Sequence, residues 1–445
     1  MELMLRQKAF REKGERSMAG SRCNGVSWGG ALGALTFWIL MFPLATGIAI
    51  FPWTAGTSQA ATCPDTIRVG MVFSLTGREA RPGNYQVEGI RLAMNQINAA
   101  GGVSVKACGK RLPLEPVVYD DQSDQARSAQ LAERSMTSDR VPAMISGYST
   151  VLAEAQSVMP DRYQVPWITG GAAASAIFSQ GRQWIFGTLS PVDALGYTTM
   201  QFLASLVEQG KLSKGLKIAV VVENTDHGKD YVAGILQWIK EHPGTFGVVF
   251  NESFQLGGTD FSGLLQRAKG ARADIFLSDA HLQDYVTMHR QYTQMGLYHR
   301  IVSYGARGPE APARQALGSA VDYVFAGVWW SEDLPYPQVK AFTDAYKKAY
   351  GRSPDSWYAA TAYDSVRILA KAIEAAGTLD RKAIRDALRE VGLTDSILPG
   401  QTLKFPVNGQ VQAPFVIVQN KPGGRVDIVY PGDAKTGEAV ADIPK

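Results

Sequence analysis

The chain has 445 residues, 45% hydrophobic and 19% charged, with a formal net charge of +4 at pH 7. That length exceeds one ordinary core and points to two domains, and the composition is that of a folded soluble protein. The basic residues gather only at the N-terminus (Arg6, Lys8, Arg11, Lys13, Arg16, Arg22), so the body offers no electrostatic case for nucleic acid as a partner.

After Arg22 no charged side chain occurs until Asp65. Between them an apolar run, Ala31 to Trp53, is followed by small polar residues from Thr54 to Ala60. Positive, apolar, then small is the order of a secretory signal. It predicts a leader over residues 1–61, cleaved near Ser58-Gln59-Ala60, and an exported, periplasmic body. An uncleaved anchor is the alternative, because the run is long enough to span a bilayer, although Pro43 and Pro52 interrupt it. Met18 is an alternative start.

From Thr66 onward, short β-branched runs alternate with helical patterns. Ile67–Phe73 reads as a strand, and a helix from about Asn84 places Ile90, Ala93, Met94 and Ile97 on one face until Gly101-Gly102 stops it. Leu112–Tyr119 is the next strand, with Asp120, Asp121 or Ser123 to cap the following helix. Val141–Ser146 and Gln164–Thr169 continue a βαβαβ series, which predicts a mostly parallel sheet with right-handed crossovers. A second series follows Leu189-Ser190-Pro191, with strands at Leu216–Val222, Gly247–Phe254, Ala273–Leu277, Arg300–Ser303 and Val321–Trp330. Two long helices, Pro337–Tyr350 and Trp357–Ala376, and a last strand, Pro414–Gln419, complete the chain.

The expected fold is therefore α/β, with two Rossmann-like lobes, parallel central sheets and a three-segment hinge. The first lobe takes residues 62–189 and 331–408, the second 190–330 and 409–435. A hinge of three crossings bends but does not twist freely.

There are three cysteines: Cys23, Cys63 and Cys108. Cleavage removes Cys23, and the other two precede neighbouring strands at one rim of one sheet. That predicts a Cys63–Cys108 disulfide, the alternative being two free thiols.

No enzyme motif is present: no Gly-x-Ser-x-Gly, no His-Glu-x-x-His, no phosphate loop and no Cys-x-x-Cys. The histidines, His227, His242, His281, His289 and His299, are scattered. No catalytic residue, metal or cofactor is expected. The acidic run Asp120–Asp124 lacks the glycine and distal glutamate of a calcium loop and reads as a cap. Two turns stand out instead. Gly147-Tyr148-Ser149-Thr150 begins a helix after the third strand, and Thr169-Gly170-Gly171-Ala172-Ala173-Ala174-Ser175 follows the fourth. Ligands of open α/β sheets sit beyond the carboxyl ends of the strands, and a helix N-terminus with a hydroxyl suits a carboxylate. Plain capping is the competing explanation for each turn.

These stretches resemble the branched-chain amino acid (Leu/Ile/Val) binding-protein family of ATP-driven importers, the type I periplasmic binding fold. The matching segments are Ile67-Arg-Val-Gly70 with Leu75-Thr76-Gly77, Gly89–Ala93, Ile97–Gly102, Tyr119–Asp124, Gly147-Tyr148-Ser149, Val165–Thr169, Gly258–Leu265 and Tyr358–Asp364. The resemblance runs from about Ile67 to Gln419. It implies a closing cleft, no catalysis, a small-molecule solute and the permease of an ABC transporter as partner.

The same resemblance implies carboxylate capture by Ser149 and Thr150 and backbone contacts at Ala172 and Ala173. His227 takes the place of a family aromatic, and Ala280 or His281 that of a tyrosine. The family's acid for the solute amino group falls near Ala306 or Arg307, where this chain has none; Asp226 or Asp279 is the expected substitute. Arg307 suggests a second anionic group on the solute, and Tyr148, Trp329 and Trp330 either line an aromatic slot or pack the hinge. The expected function is an extracytoplasmic solute-binding protein taking a carboxylate-bearing solute: an amino acid, an amide or an organic or aromatic acid. A sensor signalling to a membrane receptor or kinase is an alternative, and an enzyme acting on a small organic acid a third.

Overall fold

This computed structural model describes residues 63–442; the leader, its cleavage site, Met18 and Cys23 lie outside the described residues. Five strands make the first sheet: β1 (Ile67–Phe73), β2 (Leu114–Asp120), β3 (Ala143–Ser146), β4 (Trp167–Thr169) and β5 (Ile185–Gly187). All pair in parallel, in the order β2-β1-β3-β4-β5. The second sheet has β6 (Leu216–Glu223), β7 (Phe246–Phe254), β8 (Ile275–Asp279), β9 (Ile301–Tyr304), β10 (Phe325–Val328), β11 (Val416–Asn420) and β12 (Val426–Tyr430). Its order is β12-β11-β10-β9-β8-β6-β7, with β11 antiparallel to both of its neighbours, β10 and β12.

Side-chain alternation explains why both sheets are buried on both faces. Along β1, Ile67, Val69, Met71 and Phe73 enter one core cluster, while Val72 enters another on the opposite face. Along β6, Ile218, Val220 and Val222 face one way, and Ala219 and Val221 the other. The long helices cover these faces. A Cβ at Gly89 would lie 2.1 Å from the carbonyl oxygen of Ala359, so helix Ala80–Ala99 packs closely on helix Tyr358–Ala376 only because residue 89 lacks a side chain.

Several sequence expectations shift. The helix after β2 is capped by Asp124, whose carboxylate accepts the Arg127 N–H at 2.7 Å. Asp120 and Asp121 instead brace the end of β1, Asp121 accepting the Ser74 hydroxyl at 2.6 Å. The strand expected from Val321 begins only at Phe325, because Gly318–Val321 is a 3₁₀ turn. The second sheet is not wholly parallel.

Cys63 and Cys108 are disulfide-bonded, with Cα atoms 5.6 Å apart. The chain crosses between the sheets after β5, after β10 and before β11. The crossings are stitched to one another. Gly187 N–H donates to Gly409 O at 2.9 Å, the Ser190 hydroxyl to Ala413 O at 2.7 Å, and the Trp329 indole to Ser190 O at 2.9 Å.

Candidate functional site

The loops leaving the carboxyl ends of β3 and β4 meet those leaving β6, β8, β9 and β10. Gln86, fully buried on the helix after β1, sets the first side. Its Oε1 accepts the Tyr148 N–H at 2.8 Å and its Nε2 donates to Gly170 O at 3.1 Å, locking the two turns together. The fit needs glycine: a Cβ at Gly171 would lie 2.5 Å from Tyr148 N. Ser149 begins the helix Thr150–Ser157 without a side-chain cap, and the buried Thr150 Oγ1 has no hydrogen-bond partner. Capping therefore does not account for the hydroxyls at this turn. A buried hydroxyl left unsatisfied costs about 1–3 kcal/mol, so Thr150 is poised to gain from a partner.

Arg307, 3% exposed, crosses from the second lobe. Its guanidinium donates to the Tyr148 hydroxyl at 2.6 Å and the Tyr358 hydroxyl at 2.9 Å. It lies 4.9 Å from the Tyr148 ring centroid and 5.3 Å from that of Trp357, both cation–π contacts. Glu310, 1% exposed, balances its charge at 3.5 Å and accepts the Tyr358 hydroxyl at 2.7 Å. Further bonds clasp the lobes: Glu79 to His281 Nδ1 at 3.0 Å, Arg78 to Asp284, and the Ser175 N–H to Asp230 at 2.7 Å.

The carboxylates control the imidazoles. Burial alone would lower the pKa of His281, but Glu223 and Glu79 raise it to about 9. Burial likewise opposes protonation of His227, and Asp279, 2.6 Å from its Nδ1, outweighs that and lifts it above the usual value. Burial pushes the Glu79 carboxyl up, yet His281, Arg78 and Arg307 hold it below the ordinary range. Glu223 ends β6 with Oε1 accepting the Thr225 hydroxyl at 2.7 Å; its Oε2 is buried, lacks a hydrogen-bond partner and lies 3.6 Å from His281 Nε2. One donor atom each from Glu223, His227 and Asp279 falls within 4.8 Å of the other two.

Tyr148, Ser149, Thr150, Ala173, His227, His281 and Arg307 all line one cavity of about 10 Å³ between the lobes, with Trp329 and Trp357 beside them. Ala172 is not on its wall; it packs into the core behind β4. Trp330 packs edge-on against Phe342, away from the cavity, while Trp329 faces it. Asp226 pairs with Lys229 at 2.8 Å and Asp279 with His227, whereas Glu223 Oε2 accepts no hydrogen bond and meets only His281 at 3.6 Å. Each outer nitrogen of Arg307 spends one N–H on a tyrosine and keeps a second, and its charge is already balanced by Glu310 at 3.5 Å.

Glu79, Gln86, Glu223, Glu310 and Trp357 were not singled out from sequence, and Tyr358 only as the first residue of the matching segment Tyr358–Asp364. Two had signals: Gln86 interrupts an otherwise apolar helix face, and Glu223 is a carboxylate ending an apolar strand.

Such a cavity holds about one water-sized sphere and is too small for an organic solute as it stands. A groove of about 500 Å³, walled by Arg78, Glu79, Ser149 and His281, leads to it from outside. Among the described residues no helix is long and apolar enough to cross a membrane.

The chain is 26% identical over 392 residues to Leu/Ile/Val-binding protein homolog 7 of Brucella abortus (strain 2308), covering 85% of this chain and 96% of that one. Its fold matches a leucine-binding protein from Thermotoga maritima at a TM-score of 0.72 and 22% identity, over 82% of this chain and 97% of the other. It matches equally an ABC-transporter solute-binding protein of Rhodopseudomonas palustris BisB5 in complex with 3,4-dihydroxybenzoic acid, at 0.71 and 21%, over 85% and 99%. The periplasmic binding protein family matches residues 66–425, and the chain, with two lobes meeting at a polar cleft, belongs to that family.

Proposed function

We propose that this protein is the extracytoplasmic receptor of an ABC importer and that it captures a small carboxylate-bearing solute in the cleft. The observation that carries the reading is Thr150 Oγ1, buried without a partner at the amino end of the helix Thr150–Ser157. Backbone N–H groups and the helix dipole there favour an anion. Tyr148, Trp329 and Trp357 supply flat apolar walls, which suit an aromatic or branched side chain. Both amino acids and aromatic acids fit that description, and relatives named or solved with each support it.

The mechanism is a population shift. Opening breaks the bonds of Arg307 to Tyr148 and Tyr358; a solute touching both lobes restores the closed form, whose outer surface the permease reads. The test is a thermal-shift and calorimetric screen of ligand-stripped protein against amino acids, amides and aromatic acids. A solute at a hundred times its Kd adds about 2.7 kcal/mol of stability. Thr150→Ala should weaken the hit by about 1–3 kcal/mol; unchanged affinity would remove the carboxylate assignment.

A further inference from the structure

The carboxylates at the ends of β6 and β8 are left without a role by carboxylate capture, since they repel an anion. Glu223 Oε2 is buried and accepts no hydrogen bond, meeting only the His281 imidazole at 3.6 Å, while Oε1 is pinned by Thr225 at 2.7 Å, so the carboxylate is oriented with one oxygen open to a stronger partner. Asp279, almost fully buried, holds His227 at 2.6 Å. Donor atoms of all three residues lie within 4.8 Å of one another, and His227 is on the cavity wall. An ammonium group brings three N–H donors and is met by carboxylate oxygens alone; the imidazole set beside the two carboxylates here adds the nitrogen donor that a coordinated cation uses. Two carboxylate oxygens and an imidazole nitrogen are the donor types that zinc and similar divalent ions take, at about 2.0–2.2 Å, with a fourth position left open when only three protein ligands are supplied.

We propose that Glu223, His227 and Asp279 form a site for a divalent transition-metal cation, and that the solute carboxylate closes its open position. The second half rests on the solute-receptor reading; the first does not. Donors sharing one such ion stand roughly 3.3 Å apart given those bond lengths, so small side-chain movements assemble the site. His281, 3.6 Å from Glu223 Oε2, gives up that contact when the ion binds. The Thr225 hydroxyl then acts from behind the ligand, the arrangement that commonly fixes metal-binding carboxylates.

The experiment uses untagged exported protein, dialysed against a chelator and titrated with zinc chloride by calorimetry, with cobalt(II) absorption as a second readout. The wild type should take one equivalent of zinc, and cobalt should give the visible bands of a low-coordinate site. Glu223→Gln and His227→Gln should each weaken zinc by about tenfold or more; Asp279→Asn replaces either variant that does not fold. Absence of saturable zinc binding by the wild type overturns the site, as does zinc binding that none of the variants alters. Solute affinity should rise with zinc present. If zinc binds as described but solute affinity is the same with and without it, the second half falls. Solute binding under chelator that depends on Thr150, with no zinc uptake, leaves the receptor standing and removes the metal.

Discussion

His281 precedes the helix Leu282–Gln294 and His289 sits within it, and both are buried. The structure nonetheless holds one charged and the other neutral. His281 reaches the cleft, where Glu79 and Glu223 lift its pKa to about 9. His289 lies behind the same sheet, stacked on Tyr292 with 5.4 Å between ring centroids and bonded to Ala320 O at 2.7 Å; burial lowers its pKa to about 4. His299, bonded to the Tyr292 hydroxyl at 2.7 Å, is lowered to about 4 for the same reason. Burial is shared by both regions, and the neighbouring carboxylates make the difference. The cleft face is built from charges that need partners in the other lobe, whereas the back of the sheet asks nothing of anything beyond itself.

The sharpest way to break this contrast is to remove a cleft cation. Arg307→Met leaves the buried Glu310 with only the Tyr358 hydroxyl and the more distant Arg81, 3.8 Å away, and should cost up to about 3–5 kcal/mol in urea denaturation. Arg307→Met with Glu310→Leu should recover much of the loss; a double variant as unstable as the single one would mean that the pair is not the reason. On the neutral side the effect is one of pH. Folded His289 and His299 stay neutral to about pH 4, while unfolded histidine protonates near 6.5. The stability they preserve is complete above pH 6.5 and is lost as pH falls toward 4, by on the order of 3 kcal/mol for each ring. His289→Phe should flatten that slope without altering solute affinity, and an unchanged slope in denaturation curves would reject the assignment. The smallest effect belongs to the partly exposed Arg78–Asp284 clasp. Arg78→Ala should weaken solute binding by about 1 kcal/mol or less, and the difference should shrink in high salt.

The alternation of strands and helices was legible because strands buried on both faces leave continuous apolar runs. What escaped was short or dependent on its neighbours. Ile185–Gly187 has only three residues, and Val426–Tyr430 becomes a strand by pairing with β11. In the cleft, the turns at Tyr148–Thr150 and Ala173 could be found because strand ends mark them. Glu79, Glu310 and Tyr358 gain their roles only from what the opposite lobe presents, and no local pattern carries that. Ala172 shows the converse: it lies in the right turn, yet its side chain points into the core.

The stitching of the crossings to one another bears on how the protein fails as well as how it moves. Val407, in the turn before the last crossing, is 88% exposed, the kind of position a protease finds. A cut there would sever one strap while Gly409 and Ala413 stayed bonded to Gly187 and Ser190. The nicked protein would keep its two halves in register like a laminated spring with one leaf scored, and only denaturant would reveal the break.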